Sequence, residues 1–530
     1  MPDKILVSDQ VSEDGIARLV AAGFEVDYNT KLTPDELKAC IGNYAGWVVR
    51  SASRATPEVI ANAHKLRVIG RAGVGVDNVD VEAATQKGIV VMNTPGGNTV
   101  STAEHTVSLI CALTHSIPNA ATSMREGRWD RKNLMGREID GKTLGVIGLG
   151  RVGQEVIKRM KGFGVHVIGF DPFVSQERMR QLGIESADVD EICRRSDIIT
   201  LHSPLTPETK NLLDERRLGL MKRTAFLVNC ARGGIADEMA LAKALNDGVI
   251  AGAALDVFEV EPLQADHPLR TAKNAILTPH IAASTIEAQE NVAIQVAEQV
   301  ADYLKNGVIR NAVNAPSVEP EVLEQIRPYL ILAEKLGAFL AQSADGPITL
   351  LEAKYSGDLT QKPTTPLTTA AATGFLGALT DEPVNYVNAF PLMKSRGVEV
   401  VETRSTEPSQ FRHSMTLTAK QEDGRTLIVA GTVFDGNRPR IVLVNDKHFD
   451  IVPFGHIVVI ENKDVPGIIG HVGTTFGNHG INIAQMTWGR TERDSSAMTV
   501  INLDATVSPE LIAEIKSLPS ILSVRAMNLR

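Results

Sequence analysis

Residues 143–153 read Thr143-Leu144-Gly145-Val146-Ile147-Gly148-Leu149-Gly150-Arg151-Val152-Gly153, a short apolar run leading straight into three glycines. The run predicts a buried strand and the stretch to about Lys161 a helix, so the glycines fall at a strand-to-helix turn. Each has its own task there: Gly148 permits the tight turn, Gly150 lets a pyrophosphate approach the backbone, and Gly153 lets helix and strand pack closely. The helix N-terminus then faces the anion, with Arg151 and Val152 in its first turn. The next apolar run, Val165 to Phe170, ends at Asp171. A carboxylate about 20 residues beyond the glycines accepts hydrogen bonds from the adenosine ribose and repels a 2′-phosphate. Strand, helix and acid together point to NAD.

Further apolar runs follow at Asp197–Leu201, Ala225–Val228, Gly252–Leu255 and Ala275–Leu277, and each delivers a polar residue just beyond its end. Open α/β sheets bind ligands outside the carboxyl ends of their strands, so Arg232, Asp256, Glu261 and His280 should converge beside the nicotinamide. Arg232 can fork two hydrogen bonds to a substrate carboxylate. An imidazole at 280 can exchange a proton with a hydroxyl or carbonyl oxygen while hydride moves at the carbon, and Glu261 would orient and stabilise it. His105, inside a helical stretch, and His202, at a strand end, read as structural. No Gly-x-Ser-x-Gly elbow accompanies His280, which disfavours a charge-relay hydrolase.

The chain has 530 residues, 43% of them hydrophobic, and a net charge of −9. That length suits about three domains or more, and the charge argues against nucleic acid or an anionic membrane as partner. The N-terminus lacks the pattern of a signal peptide and no apolar run reaches the length of a membrane span, so a cytoplasmic protein is expected. Four cysteines, Cys40, Cys111, Cys193 and Cys230, form no CxxC pair; neither disulfides nor a metal site is expected. Ahead of the glycine motif, strand-like runs at Lys4–Val7, Trp47–Val49, Leu66–Ile69 and Ile89–Met92 alternate with helical patterns, one opened by the capping box at Thr33–Glu36. A helical stretch from about Ile286 to Lys305 can return the chain to this first unit, leaving a cleft between two lobes. Asn311 to Pro320 reads as a linker. From His456 the order strand, helix, strand, strand, helix, strand is ferredoxin-like.

At these residues the chain resembles the D-isomer-specific 2-hydroxyacid dehydrogenases, and within them the long subfamily that acts on D-3-phosphoglycerate. The blocks that carry the likeness are Arg71–Asp80, Asn93–Thr99, the glycine motif, Val228–Gly234, Asp256–Pro262, and Pro279-His280 with Ala283-Ser284-Thr285. Ala282 departs from the glycine usual there. The resemblance implies an α/β chain of two parallel-sheet lobes, a flavodoxin-like substrate lobe (1–99 and 286–315) and a Rossmann NAD lobe (100–285). An α+β additional domain (316–452) and a ferredoxin-like ACT domain (453–530) complete it. It implies Arg232, Glu261 and His280 as the catalytic set. NAD contacts would come from Val74, Gly148, Gly150, Arg151, Val152, Gly153, Asp171, Ser203, Cys230, Asp256, Ala282 and Ala283, with Asp256 toward the carboxamide.

The implied reaction is NAD-dependent oxidation of D-3-phosphoglycerate to 3-phosphooxypyruvate, the first step of L-serine biosynthesis. A broader 2-hydroxyacid dehydrogenase or 2-oxoglutarate reductase is the alternative, and a non-catalytic NAD sensor a further one. Arg50, Ser51, Arg71 and Asn98 are candidates to hold the anionic substrate. Trp129-Asp130-Arg131-Lys132 resembles the basic loop that reaches a partner subunit's substrate, so Arg131 and Lys132 join them and a homo-oligomer, dimer or tetramer, is expected. In the tail, Glu461–Gly470 followed by Gly480-Ile481-Asn482-Ile483 looks like an ACT domain, and Asn462, Asp464 and Asn482 fall at the positions that bind a serine effector between paired domains.

Overall fold

The computed structural model describes residues 2–318, 320–405, 411–490 and 496–529. Strands β1 (Lys4–Val7), β2 (Glu25–Tyr28), β3 (Gly46–Val49), β4 (Val68–Arg71) and β5 (Val90–Met92) form a parallel sheet in the order β2-β1-β3-β4-β5. The inner strands β3 and β4 are almost wholly buried, as strands covered by helices on both faces must be. The helix Ile286–Asn306 returns to this sheet and packs on β4 and on the helix Glu13–Ala21. Gly15 makes the approach close: a Cβ there would stand 2.7 Å from the Ala293 carbonyl oxygen.

The segment after that helix is anchored, contrary to its reading as a free linker. Ala312 bridges Met92, the Val313 amide donates to the Val91 carbonyl, and the Asn314 side chain bonds the Val91 amide and the Ile89 carbonyl. An edge strand offers unpaired backbone groups, and this segment satisfies those of β5.

The glycine motif opens the second sheet. Strands β6 (Thr143–Ile147), β7 (His166–Phe170), β8 (Glu185–Ser186), β9 (Ile198–Leu201), β10 (Phe226–Asn229), β11 (Gly252–Leu255) and β12 (Ala275–Leu277) run parallel in the order β12-β11-β10-β9-β6-β7-β8. The order reverses at β6, so the crevice lies beyond the carboxyl ends of β6 and β9, and it is a dinucleotide site by topology.

Behind the helix Pro320–Ser343 comes a six-stranded mixed sheet of β13 (Ile348–Gly357), β14 (Glu399–Ser405), β15 (His413–Gln421), β16 (Thr426–Phe434), β17 (Arg438–Val444) and β18 (Lys447–Ile451). Residues 365–377, rich in threonine and alanine, form a largely buried helix, Thr365–Gly377. Strands β19 (Gly455–Lys463), β20 (Ile483–Arg490), β21 (Ser496–Leu503) and β22 (Ile521–Leu529) make an antiparallel sheet in the order β20-β21-β19-β22, the ferredoxin-like arrangement. Alternate residues serve its two faces. Val458, Ile460 and Ile501 meet the helices Ile468–Asn478 and Pro509–Ser517, whereas Ile457, Val459, Met498, Val500 and Met527 join the core of the six-stranded unit.

Candidate active site

The motif at the carboxyl end of β6 is shaped for a diphosphate. Gly148 has φ +95°, and a Cβ on it would stand 2.5 Å from the His202 carbonyl carbon; one on Gly153 would stand 2.2 Å from the Gly148 carbonyl oxygen. Gly150 has open space where its side chain would be and caps the helix Arg151–Met160 without a side-chain bond, leaving the first amides of that helix free for an anion. Asp171, just past β7, accepts from the Leu149 and Phe173 amides, which fixes its carboxylate beside the glycine turn. Ser203 donates to the Ile147 carbonyl, and Cys230 is buried at the end of β10 with its thiol pushed up to about 12 by burial. His202 is half-buried, and desolvation pushes its imidazole down to about 4, so it stays neutral, as a structural histidine should. These residues fit NAD.

Beyond β12 the backbone turns through His280 at φ +52°, a conformation that costs an L-residue roughly 1–2 kcal/mol. The turn points the imidazole at Glu261: His280 Nδ1 lies 2.7 Å from Glu261 Oε2, while Glu261 Oε1 accepts from the Phe258 amide at 2.9 Å. Burial raises the Glu261 carboxyl, but the hydrogen bonds from His280 and Phe258 outweigh it and leave the group below its ordinary value. A charged Glu261 holds the proton on Nδ1, which leaves Nε2 as the proton acceptor. Under the turn, Asp256 is fully buried and accepts from Thr278 Oγ1 at 2.6 Å, from the Ile281 amide at 2.9 Å and from the Ala282 amide at 2.8 Å.

The opposing lobe repeats the device. Asp9, two residues past β1, is 3% exposed and accepts from the amides of Arg50, Ala52 and Ser53 and from Ser53 Oγ. Both aspartates turn a loop's backbone donors inward and so fix what its side chains face. Arg71 ends β4 with its Nε buried and unpartnered, and Asn98 Oδ1 is likewise buried without a donor. Burial, then the charges of Arg232 and Arg50, push Arg71 down to about 10. Arg232 crosses toward the first lobe, where Asp77 Oδ2 lies 3.5 Å from its Nε; a Cβ on Gly75 would stand 2.3 Å from its Nη2.

One cavity of about 260 Å³ joins the two halves. Arg50, Ser51, Arg71 and Asn98 line it from one side and Glu261, His280 and Ala283 from the other. Val74 stands in the loop beside Gly75, its carbonyl bonded by Asn93. Arg131 and Lys132 are exposed and absent from this lining. Their loop lies by Phe226, Ala251 and Asn274, at the amino ends of β10 to β12 and thus across the sheet from His280 and Glu261.

The tail candidates do not meet within one chain. Asn462, buried, bonds the Lys463 carbonyl, Asp464 pairs with Arg490, and Asn482 donates to Asp504. Asn482 precedes β20, whose Ile483 stands level with Leu503 and His456, six residues from Asn462 along β19. That is about 20 Å of strand. Asp77, Asp9 and His105 are not singled out by sequence reasoning as parts of this site. Asp77 lies inside the Arg71–Asp80 block, which is the available signal, whereas Asp9 and His105 carry no local pattern at all.

An NAD lobe, a pair of half-buried arginines and a histidine–carboxylate pair around one small cavity define a nicotinamide-dependent dehydrogenase of small anionic hydroxy acids. Comparison with known proteins is specific. Family models match for the D-isomer specific 2-hydroxyacid dehydrogenase NAD binding domain over residues 107–282, the D-3-phosphoglycerate dehydrogenase intervening domain over 325–445 and the ACT domain over 456–520. The D-3-phosphoglycerate dehydrogenase of Methanocaldococcus jannaschii is 44% identical over 527 residues, spanning 99% of this chain and 100% of that protein. Its counterpart in Bacillus subtilis is 40% identical, spanning 99% of both chains. Among solved structures, the TT0316 protein from Thermus thermophilus superposes with a TM-score of 0.55 at 36% identity, covering 58% of this chain and 99% of that one. An NAD-dependent formate dehydrogenase from Staphylococcus aureus in complex with NAD gives 0.54 at 30% identity, covering 59% and 99%. The chain belongs to the D-3-phosphoglycerate dehydrogenase family of D-isomer-specific 2-hydroxyacid dehydrogenases.

Proposed function

We propose that this chain oxidises D-3-phosphoglycerate to 3-phosphooxypyruvate with NAD, the first step of L-serine biosynthesis, and that residues 1–99 with 286–315 hold the substrate while 100–285 hold the cofactor. The observation that carries the reading is the buried, unpartnered Nε of Arg71, across one cavity from the His280–Glu261 pair. A desolvated guanidinium gains most from a fully charged oxyanion partner. The phosphate then lies with Arg50, Ser51, Arg71 and Asn98, and Arg232 takes the carboxylate at the other end. NAD, when bound, supplies the hydride acceptor. His280 Nε2 removes the hydroxyl proton as the C2 hydride leaves, and Glu261 stabilises the imidazolium through Nδ1. In the reverse direction the same Nε2 returns the proton to the carbonyl oxygen. The test is kcat/KM for 3-phosphoglycerate against its unphosphorylated analogue glycerate. A preference for the phosphorylated acid is expected, and equal efficiencies would replace this substrate with a broader class of 2-hydroxy acids.

The assembly we propose is a homo-oligomer in the cytoplasm. Trp129 and Met135, 78% and 87% exposed, flank Arg131 and Lys132 on a loop remote from its own cavity, which suits a loop that completes a partner's cleft. The four cysteines are free and no helix among the described residues is long and apolar enough to cross a membrane. For residues 316–452 we propose a role in regulation and assembly. In residues 453–530, Asn462, Asp464 and Asn482 are proposed to bind serine between two chains, tested by calorimetric titration of the full-length protein, where absence of heat would remove the effector.

A further inference from the structure

The cleft contains a second histidine–carboxylate pair, beneath the first. His105 projects from the middle of the helix Thr99–Thr114 with its Nε2 3.3 Å from Thr278 Oγ1 and 3.4 Å from Asp256 Oδ1. The Thr278 hydroxyl donates to that same Asp256 oxygen at 2.6 Å, so its lone pair is left to accept from an Nε2–H on His105. Asp256 also accepts from the amides of Ile281 at Oδ1 and Ala282 at Oδ2, so three donors on the segment 278–282 that contains His280 converge on it, with His105 Nε2 beside Oδ1. The turn between them holds His280 at φ +52°, a conformation the chain would leave if its ends were not fixed.

From this geometry we infer that His105 is a positioning residue for His280, acting through Thr278 and Asp256. The inference rests on the reading of His280 as the proton-transfer group. His105 touches none of the atoms expected to react; it supplies a donor to the cluster from outside the β11–β12 end of the sheet. That donor also fixes the Thr278 hydroxyl in the orientation that serves Asp256. A loosened turn lets the His280 ring swing relative to the hydroxyl it must deprotonate, and misplacements of about 1 Å at such a group cost as much as a hundredfold in rate. Supporting partners one layer out from a reacting group typically contribute ten- to a hundredfold, by the precedent of metal-bound histidines.

The experiment compares His105→Ala, His105→Gln and His105→Asn in the full-length protein, measuring kcat with phosphooxypyruvate and NADH and the NADH dissociation constant by fluorescence quenching. A glutamine amide reaches where the imidazole Nε2 does, whereas an asparagine amide stops at the Nδ1 position. His105→Ala and His105→Asn should therefore lower kcat about tenfold with NADH affinity within about twofold of wild type, and His105→Gln should recover most of the loss. Wild-type kcat in His105→Ala would overturn the inference, as would equal rates in the Gln and Asn variants, or a loss of NADH affinity that parallels the loss of rate. His280→Ala runs alongside. If it retained turnover, the reading of His280 itself would fall; if it is inactive while His105→Ala is normal, only the positioning role falls.

Discussion

The cleft and the tail each bear a cluster of polar residues suited to a small anionic or zwitterionic ligand, and the two sheets treat them oppositely. In the cleft every strand of each lobe runs parallel, so the residues just past their ends gather on one side: Arg232, Asp256 and His280 from one sheet, Arg50 and Arg71 from the other. In the tail, β19 and β20 both pair antiparallel to β21, and Asn462 stands at the far end of one while Asn482 stands before the start of the other. A parallel sheet assembles a site from one chain, and here the antiparallel sheet divides its candidates between two ends. A second copy, inverted, would bring the two ends together.

The contrast is most severely tested at His280. Replacement by Ala should lower kcat by about a thousandfold, the usual weight of a positioned general base, with NADH affinity retained; a loss below tenfold would show that the cleft is not assembled as described. Next comes Arg71→Met, which keeps the buried stem and removes the charge. It should reduce kcat/KM for the phosphorylated acid by about a hundredfold and leave the unphosphorylated analogue within a few-fold, whereas an equal loss on both would place the phosphate elsewhere. For the tail, Asp464→Ala and Asn482→Ala should each abolish serine binding alone, and co-refolded mixed oligomers should regain part of it, because one interface then carries both intact residues. No recovery on mixing would mean that the two act within one chain or not at all. The smallest effect is expected at Asp77→Asn. Asp77 competes with a substrate carboxylate for Arg232 across the cleft, but the pair is exposed on the Asp77 side, so KM should fall by only about two- to fivefold. A rise in KM instead would make Asp77 part of the substrate site.

Legibility along the chain follows burial. The strands at Thr143–Ile147 and Gly252–Leu255 occupy the residues predicted for them, because parallel strands read as apolar runs when both faces are covered. Strands β2 and β8 carry no such signal: both lie on sheet edges, with Glu25, Asp27, Tyr28, Glu185 and Ser186 exposed, and no apolar run marks them. Arg232, Glu261 and His280 can be read because each follows a strand or a motif by a fixed offset. His105 reads as structural on equally good local grounds, since a histidine inside a helix announces nothing about what its ring faces. The segment Asn311–Pro320 reads as a tether for its prolines, but Asn314 finds backbone partners on β5 that lie more than two hundred residues back.

By itself the sequence determined most of the buried strands and the NAD fingerprint, and it offered His280 and Glu261 as a candidate proton-transfer pair, since these depend on local periodicity and on spacing from strand ends. Tertiary structure alone decided that Asp9 and Asp256, on different lobes, clamp the loops that face each other, and that the Nε of Arg71 is left buried and unpaired. It also placed His105 under His280 and kept Asn482 away from Asn462. Such facts depend on which chain segments meet in space and on how completely each polar group is desolvated and partnered, and neither is encoded in the neighbours of a residue along the chain.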